Sequence, residues 1–232
     1  MSQQGSRLVY RNAVKSMIRA GVDPKSAVLS QSYLRLERTI SSATTNYQFG
    51  VLTNDTPQGS SIQSTEIRLN LQDSFFVSSV SMFLGYQSTS GTNQETTTNF
   101  PLYSYPNPHV WSTAVSLTAS TAKSLWNIYH GYLSLTVNNK IITPNFDLWK
   151  HYDARTTQQT AAITATAGTV DELNGNNSTS VEVEPNWVLI GSKNNNLTLQ
   201  LPGAVANLEA NVTTKIVLIL RGVLGQNTTV VS

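Results

Sequence analysis

The spacing of apolar positions along the chain changes period once, near residue 33. Before that point it is helical. Tyr10, Val14, Met17 and Gly21 recur at helical intervals with Ile18 beside them, which predicts a helix over residues 7–20 that Gly21 stops. Asp23-Pro24 has the form of an N-cap followed by Pro at the first helical position, and predicts a second short helix from Pro24 to about Ser30. After that point the period is two. Leu34, Leu36, Arg38 and Ile40 alternate with Arg35, Glu37 and Thr39; Tyr47, Phe49 and Val51 with Gln48 and Gly50; Ile67, Leu69 and Leu71 with Arg68, Asn70 and Gln72. Each is the pattern of a strand with one face on a core. Phe75 to Leu84 predicts a longer strand of mixed burial. Tyr132 to Val137, Asn138-Asn139 and Ile141-Ile142 predict a hairpin. Trp187 to Ile190, Leu197 to Leu201 and Lys215 to Val223 predict three closing strands. One short helix is expected over residues 121–130, with Leu125, Trp126, Ile128 and Tyr129 apolar and Gly131 ending it.

The intervening segments carry turn and loop chemistry. Residues 54–64 hold Asn54, Asp55, Pro57, Gly59 and Ser60; residues 87–99 are rich in Ser, Thr, Asn and Gln. Tyr103 to Trp111 combines aromatics with prolines and does not suit a central strand. Residues 155–180 are a Thr/Ala/Asn/Gly stretch expected to be a loop or an arm that orders against a partner. Eight to ten strands, no fixed-period repeat and no internal linker predict an all-β fold. The expected organisation is a basic helical N-terminal arm, residues 1–32, on a β-sandwich (jelly-roll) body, residues 33–232.

Composition strengthens the β assignment. Only 12% of the 232 residues are charged, about half the usual quarter. The polar surface is therefore made of Ser, Thr, Asn and Gln, residues of strands and turns more than of helices. No cysteine is present, which excludes disulfides, thiolate zinc sites and cysteine nucleophiles. The N-terminal residues lack the apolar core of a secretory signal, and the longest apolar run, Ile216 to Leu220, falls far short of the roughly 20 residues of a membrane-spanning helix. A soluble chain is expected. The Asn-x-Ser/Thr triplets at Asn177, Asn196, Asn211 and Asn227 then follow from Asn and Thr richness.

Charge is unevenly placed. Residues 1–40 hold seven bases and two acids, net +5, whereas the remainder holds eight bases and eleven acids, net −3, giving the overall +2. Arg7, Arg11, Lys15 and Arg19 recur every four residues, so on a helix they form one stripe. The chemistry of such a stripe is charge-driven contact with a nucleic acid or an anionic membrane surface; the plainer alternative is a solvated face on a helix packed by Tyr10, Val14 and Met17.

Catalytic patterns do not emerge. His109, His130 and His151 fall in no zinc-ligand spacing, and each lies within two residues of a Tyr or Trp, as packed rings do. Nucleophile-elbow, P-loop and dinucleotide fingerprints are absent. Glu66 and Asp73 could pair as glycosidase carboxylates, but any all-β chain offers some such pair. Trp111, Trp126, Trp149 and Trp187, with nine tyrosines, could line a sugar-binding face, and equally serve as core and interface anchors. No enzymatic activity, metal or cofactor is expected.

Three segments, TEIRLNLQDSFFVSSVSMFLGY (Thr65–Tyr86), YPNPHVW (Tyr105–Trp111) and TKIVLILRGVLG (Thr214–Gly225), resemble the strand-and-loop pattern of jelly-roll capsid (coat) proteins of small icosahedral tailless bacteriophages. The resemblance spans roughly residues 34–225, and no functional residue is carried over from it. It implies a self-assembling structural protein of the virion, made in the host cytoplasm, a homo-oligomer that contacts copies of itself and other virion proteins and encloses the viral genome. Arg7, Arg11, Lys15 and Arg19 are then expected to face the genome or an internal membrane. A spike, tail or fibre subunit and a carbohydrate-binding β-sandwich are the alternatives.

Overall fold

The computed structural model describes residues 3–23, 25, 27–57, 65–88, 100, 102–105, 119–152, 179–205 and 212–228. Two antiparallel sheets carry the fold. In the first, β1 (Val28–Thr39), β9 (Val212–Gln226) and β3 (Ser74–Ser88) lie side by side in that order. On the far side of β3, β7 (Ser180–Ile190) pairs with its first half and the two-residue β4 (Leu102–Tyr103) with its end. The second sheet runs β2 (Asn46–Gly50), β8 (Asn195–Gln200), β5 (Tyr132–Val137) and β6 (Lys140–Asp147). Two helices, α1 (Gln3–Arg19) and α2 (Ala119–Tyr129), and a 3-10 turn at Leu148–His151 complete the described elements. The chain is thus mostly antiparallel β, as its period-two patterning and low charge predict.

The core follows from strand alternation. Leu34 and Leu36 of β1, Ile216, Leu218 and Leu220 of β9, Tyr47 and Phe49 of β2, Leu133 and Leu135 of β5 and Leu197 and Leu199 of β8 fill one buried cluster with Trp187. The Trp187 indole N–H donates to Thr143 Oγ1 at 2.7 Å, so the largest buried ring keeps its polar atom satisfied. Between β1 and β2 the chain leaves the first sheet for the second. Buried Tyr47 fixes that crossing, its hydroxyl lying 2.8 Å from both the Ser41 and Thr44 carbonyls. Burial raises the Tyr47 pKa. Asn138 and Asn139, with φ of 46° and 64°, make the two-residue β5–β6 turn. Asn is among the few residues that tolerate that geometry.

β3 is apolar on both faces, and its mixed pattern has a specific cause. Phe75 and Val77 point into the core, and so do Val80, Met82 and Leu84. The change of parity is made by a bulge: Val77 pairs with Gly222 but Ser79 with Arg221, which leaves Ser78 over. Ser78 Oγ donates to the Arg221 carbonyl at 3.0 Å. On the outer face Phe76 packs with Ile190 and Val223, and Phe83 with Phe100 and Val217.

Two expectations are corrected. Residues 24–30 were expected to be helical, but β1 begins at Val28, because Val28–Ser32 find ladder partners in Gly222–Gln226. Asp23 does accept a backbone N–H, that of Lys25 at 2.9 Å, and so forms a local turn in place of a helix cap. Residues 67–71 were expected to form a regular strand with Ile67, Leu69 and Leu71 inward. The segment instead bridges the two sheet edges, pairing at Arg35↔Ile67 and then at Leu52↔Leu69. Leu69 is buried in the core as expected, but Ile67 and Leu71 are exposed, and the Glu66 and Arg68 side chains are buried. Residues 58–64, 89–99, 106–118 and 153–178, including His109 and Trp111, lie outside the described residues.

Glycine is required where β9 meets the bulge, since a Cβ on Gly222 would stand 1.7 Å from the Phe76 carbonyl oxygen. Gly222→Ala is expected to lower stability by about 3 kcal/mol or to prevent folding, whereas Gly203→Ala, with open space around it, leaves the thermal denaturation midpoint unchanged. Circular dichroism melts of the two variants against the parent check this.

Candidate functional site

α1 carries the basic stripe. No acid lies in its first turn and Arg19 lies in its last, the end that favours positive charge. The helix stops at Gly21, φ 82°. Val22 N–H returns to the Met17 carbonyl at 2.9 Å and Gly21 N–H to the Ile18 carbonyl at 3.0 Å, a Schellman closure in which buried Val22 packs with buried Met17. Ala13 and Met17 set the helix on the outer face of the first sheet, against Phe76, Ile190 and Val223.

With that face fixed, the stripe's direction follows. At 100° per residue Arg11 and Lys15 stand about 160° from Ala13 on either side, and both are exposed, as is Arg19. Arg7 heads the same row on the helix backbone. Two aliphatic residues share this outward side: Leu8 is 60% and Ile18 58% exposed. Tyr10, expected to pack inward, is also half exposed, although it stands only about 40° from the Ala13–Met17 centre. The outward face of α1 therefore offers cations and isolated apolar side chains to whatever lies beyond the sheet.

Of the remaining bases of the first 40 residues Lys25 is exposed, whereas Arg35 and Arg38 behave differently. Arg35 Nε donates to Glu37 Oε1 at 2.9 Å, and Lys215 Nζ lies 3.6 Å from Glu37 Oε2. The Thr65 hydroxyl donates to Glu37 Oε1 at 2.6 Å, and the Glu37 N–H donates to Glu66 at 3.0 Å. Arg68 bonds Glu66 at 2.8 Å and the Asp55 carbonyl at 2.7 Å, reaching into the space left by the absent side chain of Gly50. Lys215 and Arg35 both lie over the Phe100 ring, at 4.8 and 5.9 Å. Arg38 lies within reach of the same charges, and burial lowers its pKa. This network joins β1, β9 and the bridging segment, and it takes these bases out of the surface charge.

The other sequence candidates resolve as follows. Glu66 is held in that network. Asp73 is buried with one carboxylate oxygen on the Asn227 N–H and the other on the Asn70 amide. Both carboxylates are thus committed to structural bonds. Among the described residues no group of three or more His, Cys, Asp or Glu could hold a metal ion. No helix there is long and apolar enough to cross a membrane. His151 is buried against Phe146, its Nδ1–H donating to the Thr179 carbonyl at 2.9 Å. His130 is exposed and lies 5.2 Å from the Trp149 ring. Trp187 is a core residue, whereas Trp126 and Trp149 are half exposed. That these two residues belong to one end of the sandwich is not visible in local patterning, because α2 and the 3-10 turn that carry them are brought together only by tertiary pairing: Leu148 N–H bonds the Gly131 carbonyl.

No protein-family model, curated protein or solved structure matches the chain.

Removing Glu37, whose side chain is 1% exposed, strands Arg35 and Lys215 beside one another. Glu37→Ala is expected to cost about 3–5 kcal/mol in chemical denaturation, and Arg35→Gln, at a partly exposed position, about 1 kcal/mol or less. His151 supplies a pH dependence. Burial lowers its pKa below the ordinary 6.5, so the unfolded chain takes up the proton first. Its stabilising contribution is complete above pH 6.5 and falls as pH drops below it, by at most about 1.4 kcal/mol per pH unit. Melting curves from pH 8 down to about pH 5 should fall more steeply for the parent than for His151→Gln.

Proposed function

We propose that this chain is a jelly-roll coat subunit of a virus particle, non-enzymatic, that self-assembles with its own copies and with other virion proteins to enclose the viral genome. The observation that carries the reading is the strand order. With the two-residue β4 set aside as an addition, the eight remaining strands run first-eighth-third-sixth in one sheet and second-seventh-fourth-fifth in the other. That is the order produced when a long antiparallel ribbon, pairing β1 with the last strand, β2 with β8, β3 with β7 and β5 with β6, is rolled into two facing Greek-key sheets.

The surface agrees with the role. A shell subunit meets several neighbours and gains from little repulsion between copies. The chain holds few charges in total, and Glu37, Glu66, Arg68 and Lys215 are withdrawn from its surface. In this reading α1 is the basic N-terminal arm, and Arg7, Arg11, Lys15 and Arg19 face the particle interior, towards the genome or an internal membrane. They act by charge and not by sequence readout. Phage origin follows from the resemblance of the β segments to coat proteins of tailless bacteriophages.

Negative-stain microscopy and light scattering on purified protein, across salt and concentration, test the coat reading. Closed particles or regular sheets are expected; a discrete trimer that never forms a shell would favour a spike or fibre subunit instead. The interior role of α1 is tested separately. Replacing Arg7, Arg11, Lys15 and Arg19 together by Gln should leave the melting midpoint within a few degrees, because the three described side chains are exposed, yet reduce particle yield or packaged genome. Normal particles with normal genome content would sink it.

A further inference from the structure

The last turn of α2 carries Trp126 and Tyr129, with His130 directly after it, and the 3-10 turn after β6 carries Trp149 and leads to Tyr152. The rings of Tyr129, His130, Trp149 and Tyr152 form one connected group, and Trp126 stands one helical turn before His130. Trp149 and Tyr152 are stacked, 5.0 Å apart and 3° from parallel. Tyr152 meets buried Tyr129 edge-on at 5.2 Å, and His130 lies 5.2 Å from Trp149. The backbone holds them in place. Asp147 Oδ1 accepts the Trp149 N–H at 2.9 Å, and His130 Nδ1–H donates to the Trp126 carbonyl at 3.0 Å. Even so, Trp149 remains 50% and Trp126 48% exposed. Both belong to the end of the sandwich where Leu201 N–H meets the Thr45 carbonyl and Gly131 lies against Gln200.

We infer that Trp126, His130, Trp149 and Tyr152 form a binding platform for a neutral oligosaccharide. Three features select that ligand class. Aromatic faces are electron-rich, and one side of a pyranose ring presents weakly positive C–H bonds to such a face. The His130, Trp149 and Tyr152 rings are already ordered by mutual contact, so little of their side-chain freedom remains to be lost on binding. Groups suited to hydroxyls accompany them: the second oxygen of exposed Asp147, whose first holds the Trp149 N–H, His130 Nε2, since Nδ1 is engaged, and exposed Lys150, the residue after Trp149 in the turn. One acid and one base leave the platform without net charge. A nucleic-acid strand stacked there would lack the cations its phosphates require.

This inference stands apart from the coat reading, and neither falls with the other. The probes are maltose-, cellulose- and chitin-derived neutral oligosaccharides, each titrated to about 10 mM against the full chain while saturation-transfer NMR is read on the sugar protons. At least one series should show saturable transfer. Trp149→Ala should abolish it, and Trp126→Ala should weaken it roughly three- to tenfold, as loss of one ring contact implies. Circular dichroism establishes that each variant is folded; should Trp149→Ala not fold, Trp126→Ala decides. Absence of saturable transfer with all three series, or binding unchanged in the folded variants, overturns the site.

Discussion

The fold depends on the two-for-one mismatch at Ser78. β3 is long enough to run the length of the sandwich, and in an unbroken strand every second side chain would keep to one face. Were the register regular, Phe75 and Val77 would be in the core but Val80, Met82 and Leu84 would face outward, and half of the strand's apolar surface would be on the wrong side. One extra residue resets the parity, so both halves feed the same core. The reset needs backbone to approach backbone, which Gly222 allows. The same step turns Phe83 outward, to the face that Phe76 already occupies ahead of the bulge, and each nucleates an outer cluster. The first of these seats α1; the second lies beneath Arg35 and Lys215.

The amount of this that was legible in the sequence depended on how local its cause was. The β5–β6 hairpin was plain because Asn138-Asn139 states the turn by itself, and the end of α1 was plain because Gly21 supplies a left-handed residue at the right place. The start of β1 was not. Asp23-Pro24 is a sound local signal for a helix, but a ladder to β9 from Val28 onward outweighs it. Residues 67–71 misled for a related reason: Leu69 meets the core as the alternation predicts, but Ile67 and Leu71, of the same parity, do not. The Arg68–Glu66 pair lies inside because the segment crosses from one sheet edge to the other. The basic stripe could be read from spacing alone. The aromatic platform could not, because α2 and the 3-10 turn are far apart until β5 and β6 bring them together.

Charge is sorted by depth as much as by position along the chain. The N-terminal excess of bases looks uniform in the sequence, yet it divides at β1. Arg11, Lys15 and Arg19 remain in solvent, whereas Arg35 and Arg38 enter a network whose acids come from β1 itself and from the bridging segment. The outward charge of the described residues is therefore more concentrated on α1 than composition suggests.

The direct run from α1 into β1 has a mechanical meaning. β1 is an edge strand held to β9 by a register of twelve consecutive residue pairs. Hydrogen bonds of an antiparallel ladder lie across the strands. Tension on α1 directed along β1 is therefore borne by those bonds side by side, in shear, and not opened one at a time like a zipper. A load in that direction passes into β9 and on to β3, the two longest strands of the described chain. The helix is thus tethered to the stiffest part of the molecule.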